Sequence, residues 1–73
     1  MDRAEMLRIA QELGDYTGTE FELREKYGNT VGAVIFALTH VHRKRSGGAR
    51  EFLEGKMTPN EMINLGRVYR HVL

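Results

Sequence analysis

Apolar side chains recur along this chain at helical spacing, and the segments between them are punctuated by caps and glycines. Met6, Ile9, Ala10 and Leu13 lie three or four residues apart. Asp2 stands at an N-cap position, Glu5 three residues on completes a capping box, and Gly14 can close the helix in a left-handed conformation. The polar loop Asp15-Tyr16-Thr17-Gly18 follows. Thr19 and Glu22 form a second capping box, opening a short helix through Phe21, Leu23 and Tyr27 that ends at Gly28. Asn29-Thr30 makes a tight turn, with Thr30 as the next cap. From Val31 the pattern changes, because Val31, Ala33, Val34, Ile35, Phe36, Ala37, Leu38 and Val41 leave almost no polar side. A helix that is apolar all round is a buried one. Val34-Ile35-Phe36 is also rich in strand formers, but the length of the run and its caps favour a helix.

The third helix runs out into His42-Arg43-Lys44-Arg45, and Ser46-Gly47-Gly48 breaks the chain. A short helix from Ala49 to Glu54 ends at Gly55. Thr58-Pro59-Asn60-Glu61 combines a cap, a proline at the first helical position and a glutamate at the third, the strongest start signal in the sequence. The last helix carries Met62, Leu65, Tyr69, Val72 and Leu73 on one face. The expected fold is therefore all-α, a single domain over residues 1–73 built from about five short helices.

With 73 residues and no cysteine, the chain is expected to bury a modest core without disulfides. The longest near-apolar run, Val31 to Leu38, is too short to span a bilayer. The N-terminus has no basic segment followed by an apolar one, so no secretion signal is expected and a cytoplasmic location is. The net charge is only +1, but it is unevenly spread. Seven acids stand against three arginines in the first 25 residues, and eight basic residues against three glutamates in the rest. An acidic front and a basic back imply an electrostatically chosen partner, nucleic acid or an acidic protein surface, or else attraction between the halves within the fold.

Catalytic chemistry finds little support. The one serine, Ser46, lies in a glycine-rich turn, and Gly47-Gly48 lacks the lysine and serine of a phosphate loop. His40 and His42 are two apart and point to different sides of a helix, so they cannot chelate one metal; His71 stands alone. No metal, no cofactor and no enzymatic activity are expected. The basic residues are more informative. His42, Arg43, Lys44 and Arg45 sit together, with Arg50 and Lys56 close behind, and Arg67 and Arg70 can extend the patch. Cations beside free backbone amides at a helix start suit phosphate. A solvated helix end accounts for the same residues, because basic side chains suit the negative end of a helix dipole. Tyr16, in a loop, is the tyrosine best placed for an interface.

Two stretches resemble helix-turn-helix domains. Phe52-Leu53-Glu54-Gly55-Lys56-Met57-Thr58-Pro59-Asn60-Glu61-Met62-Ile63-Asn64-Leu65 is similar to the end of the recognition helix and the following helix in phage repressor and Cro-like domains. Leu23-Arg24-Glu25-Lys26-Tyr27-Gly28-Asn29-Thr30-Val31-Gly32-Ala33-Val34 resembles the helix, Lys-Tyr-Gly, turn, helix core of bacterial regulators. The two cannot be the same motif. Base readers belong at the first turns of a recognition helix. One stretch has Gly47, Gly48 and Ala49 there, with only Arg50 and Glu51 to read anything; the other has Val31, Gly32 and Ala33. By size and character the chain is also similar to small phage-encoded regulators that bind RNA polymerase. The resemblances imply a helix-turn-helix-like fold and a non-enzymatic transcription regulator of phage or bacterial type. It would bind RNA polymerase or another acidic protein surface, DNA, or both, through the basic patch. The alternative is a protein-binding inhibitor whose acidic N-terminal helices mimic nucleic acid.

Overall fold

The computed structural model describes residues 1–44 and 46–70, the side chain of Ser46 excepted. Five helices follow one another: α1 (Arg3–Leu13), α2 (Glu20–Tyr27), α3 (Asn29–Lys44), α4 (Ser46–Leu53) and α5 (Pro59–Arg70). The described residues contain no strand, so the strand-rich trio Val34-Ile35-Phe36 is helical. The chain is all-α, and α3 is its axle. Eight successive α3 residues, Gly32 to Thr39, are buried, and Val41 follows them. The other four helices each pack on α3; the α2 backbone lies against α3 alone and reaches α5 through the Glu20–Arg70 ion pair.

The caps at Asp2, Thr19 and Thr58 form as their sequences imply. Asp2 accepts from the Glu5 amide at 2.8 Å, and Gly14 ends α1 at φ 56°. Thr19 accepts from the Glu22 amide at 3.2 Å. At α5 the box is complete: the Glu61 amide donates to Thr58 Oγ1 at 3.1 Å, and the Thr58 amide donates back to Glu61 Oε1 at 2.9 Å. Those bonds favour the ionised Glu61 carboxyl and hold it below its ordinary range.

Two boundaries depart from expectation. Helix α3 starts at Asn29, directly after Gly28, rather than at Val31 behind a Thr30 cap. Gly28 alone turns the corner, at φ 105°, a conformation that favours glycine. Helix α4 starts at Ser46, so Ser46-Gly47-Gly48 continues the helix instead of breaking it. The reason is burial: Gly48, Ala49 and Phe52 lie inside, which outweighs the roughly 1 kcal/mol helix cost of a glycine.

Close helix crossings explain two other glycines. A Cβ on Gly32 would lie 2.4 Å from the Arg24 backbone and from the Leu23 carbonyl oxygen, so α2 and α3 touch backbone to backbone. A Cβ on Gly66 would meet Ala37 Cβ at 2.4 Å, which sets α5 against α3. On α5, Met62 and Gly66 are buried and Leu65 and Tyr69 half-buried; Val72 and Leu73 lie outside the described residues. On α2 only Leu23 is buried, and Phe21 is 64% exposed.

Candidate functional site

Among the described residues, the predicted cations are distributed over the ends of α3 and α5, over α4 and over the loop before α5. Arg43, Lys44 and Arg70 come together where α3 and α5 end. Phe36, His40 and Arg43 fall at i, i+4 and i+7 of α3 and so share a face. The His40 ring stands edge-on to Phe36 with centroids 4.8 Å apart, and the Arg70 guanidinium lies over Phe36 at 5.8 Å. Lys44 Nζ donates to the Tyr69 carbonyl at 3.0 Å, which ties it to the residue before Arg70. Arg43 Nε donates to the Thr39 carbonyl at 2.8 Å, fixing its stem along α3.

The acidic front closes over the same row. Asp15 accepts a charge-assisted hydrogen bond from Arg43 Nη1, across 28 residues of sequence. Glu20 faces two arginines, Arg24 at 3.6 Å and Arg70 at 3.9 Å. Tyr16, between these carboxylates in the chain, is half-buried and edge-on to Phe36 at 6.3 Å. Its hydroxyl lies 3.2 Å from the Thr19 carbonyl and 3.1 Å from Glu22 Oε2. Burial, with the Glu22 carboxylate adding to it, raises the Tyr16 phenol above its ordinary value. Tyr16 is thus engaged inside the fold rather than held out as an interface anchor. The Glu22 carboxylate, read as half of a reciprocal box, serves this phenol.

The remaining predicted residues lie elsewhere. Arg50 and Arg67 are exposed and carry no partner among the described residues. Lys56 pairs with Glu54 at 3.2 Å and borders an open groove of 430 Å³ between α4 and α5, lined also by Met57, Leu65 and Val68. Arg45 and His71 lie outside the described residues. His42 is half-buried, and its Nε2 is buried with no hydrogen-bond partner. Burial holds its pKa below the ordinary histidine value, and the adjacent Arg43 cation adds to the shift. The His40 ring has partners: its Nδ1 lies 2.9 Å from the Phe36 carbonyl oxygen and 3.1 Å from Thr39 Oγ1.

One cation that sequence reasoning passed over is Arg3. Its Nη1 donates to the carbonyls of Phe52 at 2.8 Å and Met57 at 2.6 Å, and its guanidinium lies over the Phe52 ring at 4.4 Å. A signal was present, because an arginine at the first position of a helix opposes the dipole and needs another reason to be there. Asp15 and Glu20 as partners of the basic row were also missed.

No cluster of His, Asp and Glu among the described residues could hold a metal ion. No described helix is long and apolar enough to cross a membrane. The starts of the two helices that resemble recognition helices are partly inside: Gly32 and Ala33 on α3, Gly48 and Ala49 on α4. Of the residues at the start of α4, Arg50 is exposed and Glu51 half-buried. No protein-family model, no curated protein and no solved structure matches the chain.

Proposed function

We propose that this protein is a small non-enzymatic transcription regulator of phage or bacterial type, working in the cytoplasm. It docks on an acidic surface of the transcription machinery, RNA polymerase being the first candidate, through Arg43, Lys44 and Arg70. The observation that carries this reading is the convergence of those three cations with His40 at the shared end of α3 and α5. Basic side chains gathered at one end of two helices, with His40 and Arg70 against the Phe36 ring, suit a partner that presents carboxylates or phosphates. Protein contact is favoured over base-specific DNA contact because the α3 and α4 starts bury small residues where base readers would stand. The acidic-decoy alternative would use the other side of the same ion pairs, since Asp15 and Glu20 face Arg43 and Arg70 and Glu12 faces Arg8.

The test is titration of isotope-labelled protein with purified RNA polymerase and, separately, with random-sequence duplex DNA at low and physiological salt. Saturable binding to polymerase, with amide shifts at Arg43, Lys44 and Arg70, is expected. Steeply salt-dependent shifts with DNA alone would move the target to phosphates through counterion release. Binding to neither would overturn the reading.

A further inference from the structure

We infer that Asp15 and Glu20 are a built-in carboxylate latch on the basic row, holding in the free protein the arginines that an acidic partner must take over. The inference rests on the proposed docking role of that row and adds its regulation. Both ion pairs join the acidic front to the basic back: Asp15 to Arg43, from the α1–α2 loop to the end of α3, and Glu20 to Arg70, from the start of α2 to the end of α5. Neither is a local i, i+4 helix pair of the kind that Arg8 makes with Glu12. The Asp15 side chain is 90% exposed, so it can leave Arg43 for water without opening the core. It sits beside Tyr16, which Phe36 and Glu22 anchor, so the carboxylate stays close to its arginine when displaced.

The energetics suit a competitor rather than a structural pair. Exposed ion pairs such as that of Asp15 contribute little to folding, whereas Glu20, only 18% exposed, divides its carboxylate between Arg70 and its α2 neighbour Arg24. Yet a carboxylate already seated on a guanidinium must be displaced by any incoming carboxylate, so it lowers affinity directly. Each arginine of the row is held in the free protein by a carboxylate, the group chemistry that an acidic partner would offer. This favours the carboxylates of an acidic protein surface over phosphate.

The experiment compares three proteins by fluorescence anisotropy: the natural chain, Asp15→Asn/Glu20→Gln, and a charge-matched control, Glu12→Gln/Glu25→Gln. The control removes two negative charges that do not touch the row. Labelled poly-glutamate is the carboxylate probe and random-sequence duplex DNA the phosphate probe. The latch variant is expected to bind poly-glutamate roughly threefold to tenfold more tightly than the natural chain, from the release of the solvent-exposed Asp15 pair and the more enclosed Glu20–Arg70 pair. The control should stay within about twofold, as screened charges away from the row predict. Equal gains in both variants would reduce the effect to net charge and overturn the latch, as would no gain in either. A selective gain with DNA alone would overturn the carboxylate partner. Because Glu20 lies in the first turn of α2, circular dichroism checks folding, and Asp15→Asn alone keeps the test decisive if the double variant is unstable. The latch is read with model polyanions and the docking role with polymerase, so either can fail without the other.

Discussion

At the scale of single residues, the least replaceable charge is Arg3. Hydrogen bonds to charged donors contribute about 1.5–3 kcal/mol, and the two carbonyls that Arg3 serves belong to the end of α4 and the loop before α5. Arg3→Ala should therefore lower stability by about 2 kcal/mol, read as a shift in the urea midpoint. Arg3→Lys should recover only part of it, because an ammonium lacks the planar fork and stacks poorly on Phe52. His42 gives the pH dependence. Its folded pKa is depressed below the unfolded value, so the unfolded chain binds more protons in between. Its contribution is fully present above about pH 6.5, the ordinary histidine value, and is lost as pH falls through the folded pKa. Thermal melts between pH 7.5 and 5.5 should show the natural chain losing more stability than His42→Leu, which removes the orphaned Nε2. A variant whose melting temperature falls in parallel with the natural chain would assign the acid sensitivity to other groups.

At the scale of helices, local signals were legible and long-range ones were not. Asp2, Thr19 and Thr58 cap as read, because a cap is decided by residues three apart. The end of α2 at Gly28 was legible for the same reason. The Ser46-Gly47-Gly48 segment was misread because its helix depends on Gly48, Ala49 and Phe52 meeting the core, which no local rule reports. The same holds for the site: Arg43, Lys44 and Arg70 stood out as cations, whereas Asp15 and Glu20 are partners only through the fold. Glycines make the contrast testable. Gly47 is helical, exposed and has nothing within 4 Å of a Cβ, so Gly47→Ala should stabilise by about 0.5–1 kcal/mol. Gly32→Ala would drive a methyl into the α2 backbone and should destabilise by about 3 kcal/mol or more. Paired thermal melts would show opposite signs for one chemical change. At α5, Thr58→Ala should cost about 1 kcal/mol. The Glu61 half of that box is fully formed above the ordinary glutamate range and weakens as pH falls through its depressed folded pKa.

At the scale of the whole molecule, the charge asymmetry of the sequence becomes contact between its halves, and a single helix connects everything. Helices α1, α2, α4 and α5 all lean on α3, with α1–α4 and α4–α5 packing and the Glu20–Arg70 pair between α2 and α5 as additional contacts. Two consequences differ in kind. A cavity at the axle is felt by every element at once. Leu38 is fully buried in the core cluster, and truncating a buried leucine to alanine costs about 2–5 kcal/mol. A domain of this length has only about 4–11 kcal/mol in total at typical values per residue. Leu38→Ala should therefore leave a protein near its unfolding threshold, losing all helices in one transition. Helix α2, by contrast, packs its backbone on α3 alone, is joined to α5 through the Glu20–Arg70 pair, and within it only Leu23 is buried. Its amides should exchange by a local opening that leaves α1, α4 and α5 in place. Native-state hydrogen exchange separates the two cases: α2 amides should open at lower free energy than those of Val34 to Leu38, and urea should raise the rates of the latter much more steeply. The α2 opening would also withdraw Glu20 from Arg70, so the least stable helix is the one that carries part of the latch. Uniform protection across α2 and α3 would instead mean that the backbone contact at Gly32 locks them into one cooperative unit, leaving Asp15 as the only part of the latch that moves independently of the fold.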